Sequence, residues 1–230
     1  MTLAILCAAG LALGLAGPAL AGATIDYRDP LVPAAVSNLY VSTGTAQFHF
    51  VFVTSTSSDA TSTDIGVYNT FVNGVANSPG SLVEGRWTGW KVIGSTATVD
   101  ARDNTGTVPS GAGQFPIYRL DKALFFNDYA EMWSGVYPHA TPRVDEKGHN
   151  PATPGCTYLG TGTDDDGTAA ANVYLGNTAF TSVAAVDIKW QDSWIYSSWG
   201  PKSGPLYFYA LSPLITLTGR VTAGTVLMMR

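Results

Sequence analysis

Asp164, Asp165 and Asp166 stand consecutively and are followed by Gly167, the densest acidic cluster in the chain. Carboxylate oxygens crowded on a turn suit a hard cation, so these three residues form the candidate metal site, with calcium as the ion. The run lacks the further spaced Asp or Asn and the closing Glu of an EF-hand loop, which leaves a solvated turn as the alternative. The histidines are His49, His139 and His149. The last two share a proline-punctuated stretch with Asp145, and a zinc set of His139, His149 and Asp145 would need folding to bring them together. His49 sits instead inside an alternating apolar segment, where a hydrogen-bonded structural imidazole is expected.

Aromatic residues offer a different chemistry. Trp87, Trp90, Trp190, Trp194, Tyr196 and Trp199 fall mostly in stretches that read as loops, and an exposed indole stacks on a sugar ring or on a protein partner. Trp87, Trp194 and Trp199 are the candidate ligand-binding residues, with one or two of them expected at the surface and with Trp90 and Trp133 expected in the core. Catalytic signatures are missing where they would be easy to see: there is no G-x-S-x-G elbow, no phosphate loop and no H-E-x-x-H. An enzyme would have to draw on Asp145, Glu146 and the acidic run, with two carboxyls facing across a cleft at about 5 to 10 Å.

The elements that must position these residues are short and mostly β. Charged residues make up 13% of the 230 positions, against 25 Gly and 13 Pro, a balance that favours turns and strands over long solvent-facing helices. With 46% hydrophobic residues the chain can bury one substantial core. The net charge of -5 and the lack of any Lys or Arg cluster leave no footprint for a phosphate backbone, so nucleic acid is not an expected partner.

Residues 1–21 form an apolar run closed by Ala19-Leu20-Ala21, the small-x-small pattern of a signal-peptide cleavage site. Export follows as the expectation, with residues 22–230 as a single secreted or cell-surface domain. Cys7 would leave with the signal, so Cys156 would stand alone, form no internal disulfide and serve as a buried strand residue. The last apolar stretch, 214–221, contains Gly219 and Arg220 and falls well short of the roughly 20 residues that span a bilayer. No membrane span is therefore expected after signal removal.

Residues 47–54, QFHFVFVT, alternate with apolar side chains on both faces, which marks a central strand. Residues 64–75 repeat Ile65, Tyr68, Val72 and Val75 at helical spacing, with Ser62 or Thr63 as the expected cap and Asp64 complementing the dipole, and predict the principal helix. Residues 115–135, FPIYRLDKALFFNDYAEMWSG, read as strand, turn at Asp121-Lys122, extended segment, a helix over 128–134 capped by Asn127, and a glycine stop. A polar loop is expected over 100–113 and a long loop over 136–155. Residues 156–160, 184–188, 194–196 and 206–211 read as strands.

The order P-I-x-x-L-x-x-x-L-F, then a short helix ending in W-S-G, resembles the endostatin-like branch of the C-type-lectin-like superfamily. The strand and acidic turn near 156–167 extend the likeness. The resemblance implies an α+β, β-rich C-type-lectin-like (endostatin-like) domain with two short helices and long loops. The words VFVTSTSSDATSTDI, WKVIGSTATVDARDNTGT and LYFYALSPLITL also resemble bacterial exported proteins of the PEP-CTERM type, without the sorting tail. The function so implied is a secreted, non-catalytic surface or matrix module that binds an extracellular protein or glycan through its loops. An exported hydrolase on the same scaffold and a purely structural envelope protein are the alternatives.

Overall fold

A computed structural model describes residues 22–111, 113–151, 158–187 and 193–219. The expected signal segment, Cys156 and Trp190 lie outside them. In chain order the elements are β1 (Thr24–Asp26), α1 (Ala34–Thr43), β2 (Gln47–Val53), α2 (Ile65–Ala76), β3 (Lys91–Val92), α3 (Ala101–Thr105), β4 (Ile117–Arg119), β5 (Leu124–Phe126) and α4 (Tyr129–Met132). They continue with β6 (Tyr158–Gly160), β7 (Ser182–Asp187), β8 (Ser198–Pro201), β9 (Tyr209–Leu211) and β10 (Ile215–Thr218). This is a mixed α+β fold.

The alternation in residues 47–53 makes β2 the centre of the larger sheet, whose order is β1-β10-β2-β4-β5, with β9 also on β2 and β3 on β9. Phe48, Phe50 and Phe52 point into one apolar layer with Tyr68 and Val72 of α2, Trp87, Trp90 and Phe208. Val51 and Val53 point into the other, with Phe125, Phe126, Met132, Trp133 and Trp194. Each of the three Phe side chains is at most 2% exposed, and burying one contributes about 1.5–3 kcal/mol, so β2 anchors both layers.

One edge of β2 is shared by two strands laid end to end. β10 pairs with its start, Ile215 opposite Phe48, and β9 with its end, Val51 opposite Leu211. The break between them falls at Ser212 and Pro213, and proline has no N–H for a ladder. Ser212 patches the gap: its N–H donates to the Phe50 carbonyl at 2.9 Å, and its hydroxyl oxygen accepts from the Phe50 N–H at 2.9 Å. A second sheet, β6-β7-β8, contacts the segment leading into β9 through a parallel bridge between Leu159 and Tyr207.

Four helices, rather than two, occur among the described residues. α1 carries no apolar stripe: it buries Val36 and Tyr40 and leaves Leu39 and Val41 about half exposed, so the 3.6 period never shows in the sequence. Its bounds are nonetheless a proline before and a left-handed Gly44 after, at φ 75°. α3 turns part of the expected 100–113 loop into a single helical turn. The expected strand at 194–196 is not one, because the strand starts later, at β8.

Helix caps are also shifted by a residue. Asp64 itself caps α2, accepting from the Gly66 N–H at 2.8 Å. Asp128, not Asn127, caps α4, accepting from the Glu131 N–H at 2.7 Å, while Glu131 reaches back to the Asn127 N–H at 2.6 Å. In both cases an Asp oxygen closer to the first free amide wins over the neighbouring residue. No described helix is long and apolar enough to cross a membrane.

Candidate functional site

The three candidate tryptophans have separate fates. Trp87 is buried beside Phe50 and donates its Nε1–H to the Thr24 carbonyl at 3.1 Å. Trp194 is 2% exposed and lies among Phe125, Phe126, Trp133 and Tyr209, with ring centroids 5.0 to 5.9 Å away. Both rings belong to the core, with Trp90 and Trp133. Trp199 is 64% exposed.

Strand alternation explains why Trp199 faces outward. Its neighbour Gly200 packs so tightly that a Cβ there would come within 2.8 Å of Leu206 and 3.4 Å of Ala185. The residue before Gly200 must then point to the opposite face of β8. The indole does not swing freely, because its Nε1–H donates to the Tyr196 hydroxyl at 2.7 Å. Tyr196 is half-buried, and its backbone N–H is held by the Ser193 hydroxyl at 3.1 Å. Tyr196, Ser197, Ser198 and Trp199 line a shallow surface concavity of about 410 Å³.

The acidic run closes a hairpin. The Asp164 N–H donates to the Thr168 carbonyl and the Gly167 N–H to the Asp164 carbonyl, both at 2.9 Å, with Gly167 at φ 84°. Asp166 accepts from the Thr168 N–H and hydroxyl at 2.9 and 2.6 Å, and these bonds hold its carboxyl below the usual range. Asp164 and Asp165 are pushed up, first by burial and then by the neighbouring carboxylates. Among the described residues no group of three or more His, Cys, Asp or Glu side chains is arranged to hold a metal ion.

The remaining sequence candidates are engaged in local contacts. Asp145 is buried and accepts from the Lys147 and His149 N–H groups at 2.9 and 2.8 Å, locking its own turn. Glu146, 1% exposed, accepts from the Ser55 N–H at 2.9 Å and from the Ser55 hydroxyl. His139 is exposed and sits 2.9 Å from Glu131. Asp145, Glu146 and Asp166 of the hydrolase alternative thus each accept from a backbone N–H of a different segment.

Sequence reasoning missed a second depression, of about 440 Å³, with His49 and Tyr129 at its floor and Lys91, Asp103, Phe115 and Leu214 among its walls. The ladder break at Ser212 turns its carbonyl toward His49 Nδ1, 2.8 Å away. A carbonyl only accepts, so Nδ1 carries the proton and Nε2 must accept, which it does from the Tyr129 hydroxyl at 2.6 Å. Burial pushes His49 down to about 4 and Tyr129 up to about 12. The imidazole is therefore neutral and fixed in one tautomer near neutral pH. Only the isolated His in an apolar strand hinted at this in the sequence.

No protein-family model matches this chain, and no curated protein matches it in sequence.

Proposed function

We propose that this chain is an exported, non-catalytic binding module of C-type-lectin-like type, and that it holds glycan on the Trp199 platform. The observation that carries the reading is an indole 64% exposed and yet hydrogen-bonded to Tyr196. Leaving so much apolar surface in water forgoes burial worth about 25 cal/mol per Å², and fixing its orientation removes freedom that a ligand would otherwise have to freeze. The Nε1–H is already spent on Tyr196, so the platform offers a π face, and Ser197 and Ser198 line the same concavity. That pairing suits the C–H face and hydroxyls of a pyranose.

The fold part of the reading is supported by local order. β4, a turn with Lys122 at φ 71°, β5, the Asp128-capped α4 and Gly135 at φ 76° follow one another as the endostatin-like resemblance implies. The acidic hairpin docks on that unit: a Cβ at Gly167 would lie 2.8 Å from the Trp133 ring. A glycan array probed with the purified chain tests the function. Binding to pyranose polymers is the expected result, and a blank array at high protein concentration would remove the reading.

A further inference from the structure

The His49 cleft is assembled from segments far apart in the chain, namely β2, β3, α3, the start of α4 and residues 212–214, and it shares no lining residue with the Trp199 platform. Its floor has a fixed polarity. The Tyr129 hydroxyl has committed its only proton to His49 Nε2, because His49 Nδ1–H is committed to the Ser212 carbonyl. Anything that reaches the Tyr129 oxygen must therefore bring a donor.

The walls add two unmatched charges. Lys91 lies opposite Leu211 in the β3·β9 pair, next to the ladder break, and is half-buried. Asp103 stands in the first turn of α3 and is exposed. Among the described residues neither forms an ion pair, with the other or with anything else. A monoanion would satisfy Lys91 and leave Asp103 unmatched, and a cation would do the reverse. A ligand bearing both charges satisfies both, and its ammonium is a donor, the one kind of polar group the Tyr129 oxygen can still receive. Phe115, Pro213 and Leu214 add apolar surface, and about 440 Å³ lies within the usual range for a small-molecule site.

We propose that this cleft binds a small zwitterion, a free α-amino acid with an apolar side chain, its carboxylate on Lys91 and its ammonium between Asp103 and Tyr129. The site is independent of the glycan reading.

Titration calorimetry of the full chain with the twenty amino acids, a hexose, a hydroxy acid, a simple amine and a simple carboxylate tests it. Apolar amino acids should bind, and the single-charge probes and the hexose should bind at least about tenfold more weakly. An N-trimethylated amino acid keeps both charges and loses the N–H donors, and it should weaken similarly. Lys91→Met and Asp103→Asn change wall residues outside the core, so melting should confirm intact folding. Each should reduce affinity about tenfold or more. No amino-acid binding at about 10 mM, a level weaker than any ordinary small-molecule affinity, would overturn the proposal, as would a hexose binding equally well or affinity unchanged in both variants.

Discussion

His49 and Tyr129, 80 residues apart in sequence, share a 2.6 Å hydrogen bond in which the phenol donates to a buried imidazole. The bond ties α4 to the central strand through the floor of a cleft. Because His49 Nδ1 is occupied by the Ser212 carbonyl, removing the phenol leaves Nε2 buried with no donor. Tyr129→Phe should therefore lower stability by about 1–3 kcal/mol, the usual cost of one orphaned buried acceptor. Urea unfolding of the variant against the parent chain checks this, and equal midpoints would show that the bond contributes nothing.

The same imidazole sets a pH dependence. His49 holds its proton below about 4 when folded, against an ordinary value of 6.5. Between those values the unfolded chain binds the extra proton and the folded chain does not, so acid favours unfolding. This contribution is fully present above about 6.5, declines as pH falls, and reaches a loss of about 3 kcal/mol near pH 4. His49→Gln should flatten that part of the stability curve. Unfolding free energies at pH 7, 5.5 and 4 give the comparison, and parallel curves for the two proteins would contradict the assignment.

Much of the architecture was legible in residue patterns. Strict alternation in residues 47–53 marked β2, the Ile65, Tyr68, Val72 and Val75 spacing marked α2, and residues 115–135 gave the order of β4, β5 and α4. α1 was not legible, because it buries only two side chains and shows no stripe. The site was the harder part. Sequence composition could not separate Trp199 from Trp194, since the difference lies in which residue precedes a glycine that must face inward. His49 reads as structural in the sequence, and its partners Tyr129 and Ser212 are brought to it only by the sheet.

Glycines offer a test of the backbone. Gly176, at φ 73°, packs so that a Cβ would overlap the Ser62 carbonyl oxygen, and its N–H donates to the Ala60 carbonyl at 2.8 Å. Gly80 has a similar φ of 83° and open space around it. Gly80→Ala should cost about 1–2 kcal/mol, the left-handed penalty alone. Gly176→Ala should cost clearly more, about 3 kcal/mol or above, because strain and overlap add. Thermal melting of the two variants orders them, and equal losses would mean that the Ser62 contact yields freely.

If Trp199, held by Tyr196, is the proposed glycan platform, the affinity of Trp199→Ala for the best ligand of a glycan array reports it. A central aromatic contact contributes about 2 kcal/mol or more, so binding should weaken about thirtyfold, with the melting temperature unchanged because the ring is exposed. Tyr196→Phe, which frees the indole without removing it, should fall between the two. A Trp199→Ala protein that binds the same glycan with the affinity of the parent chain would rule out the indole as the platform.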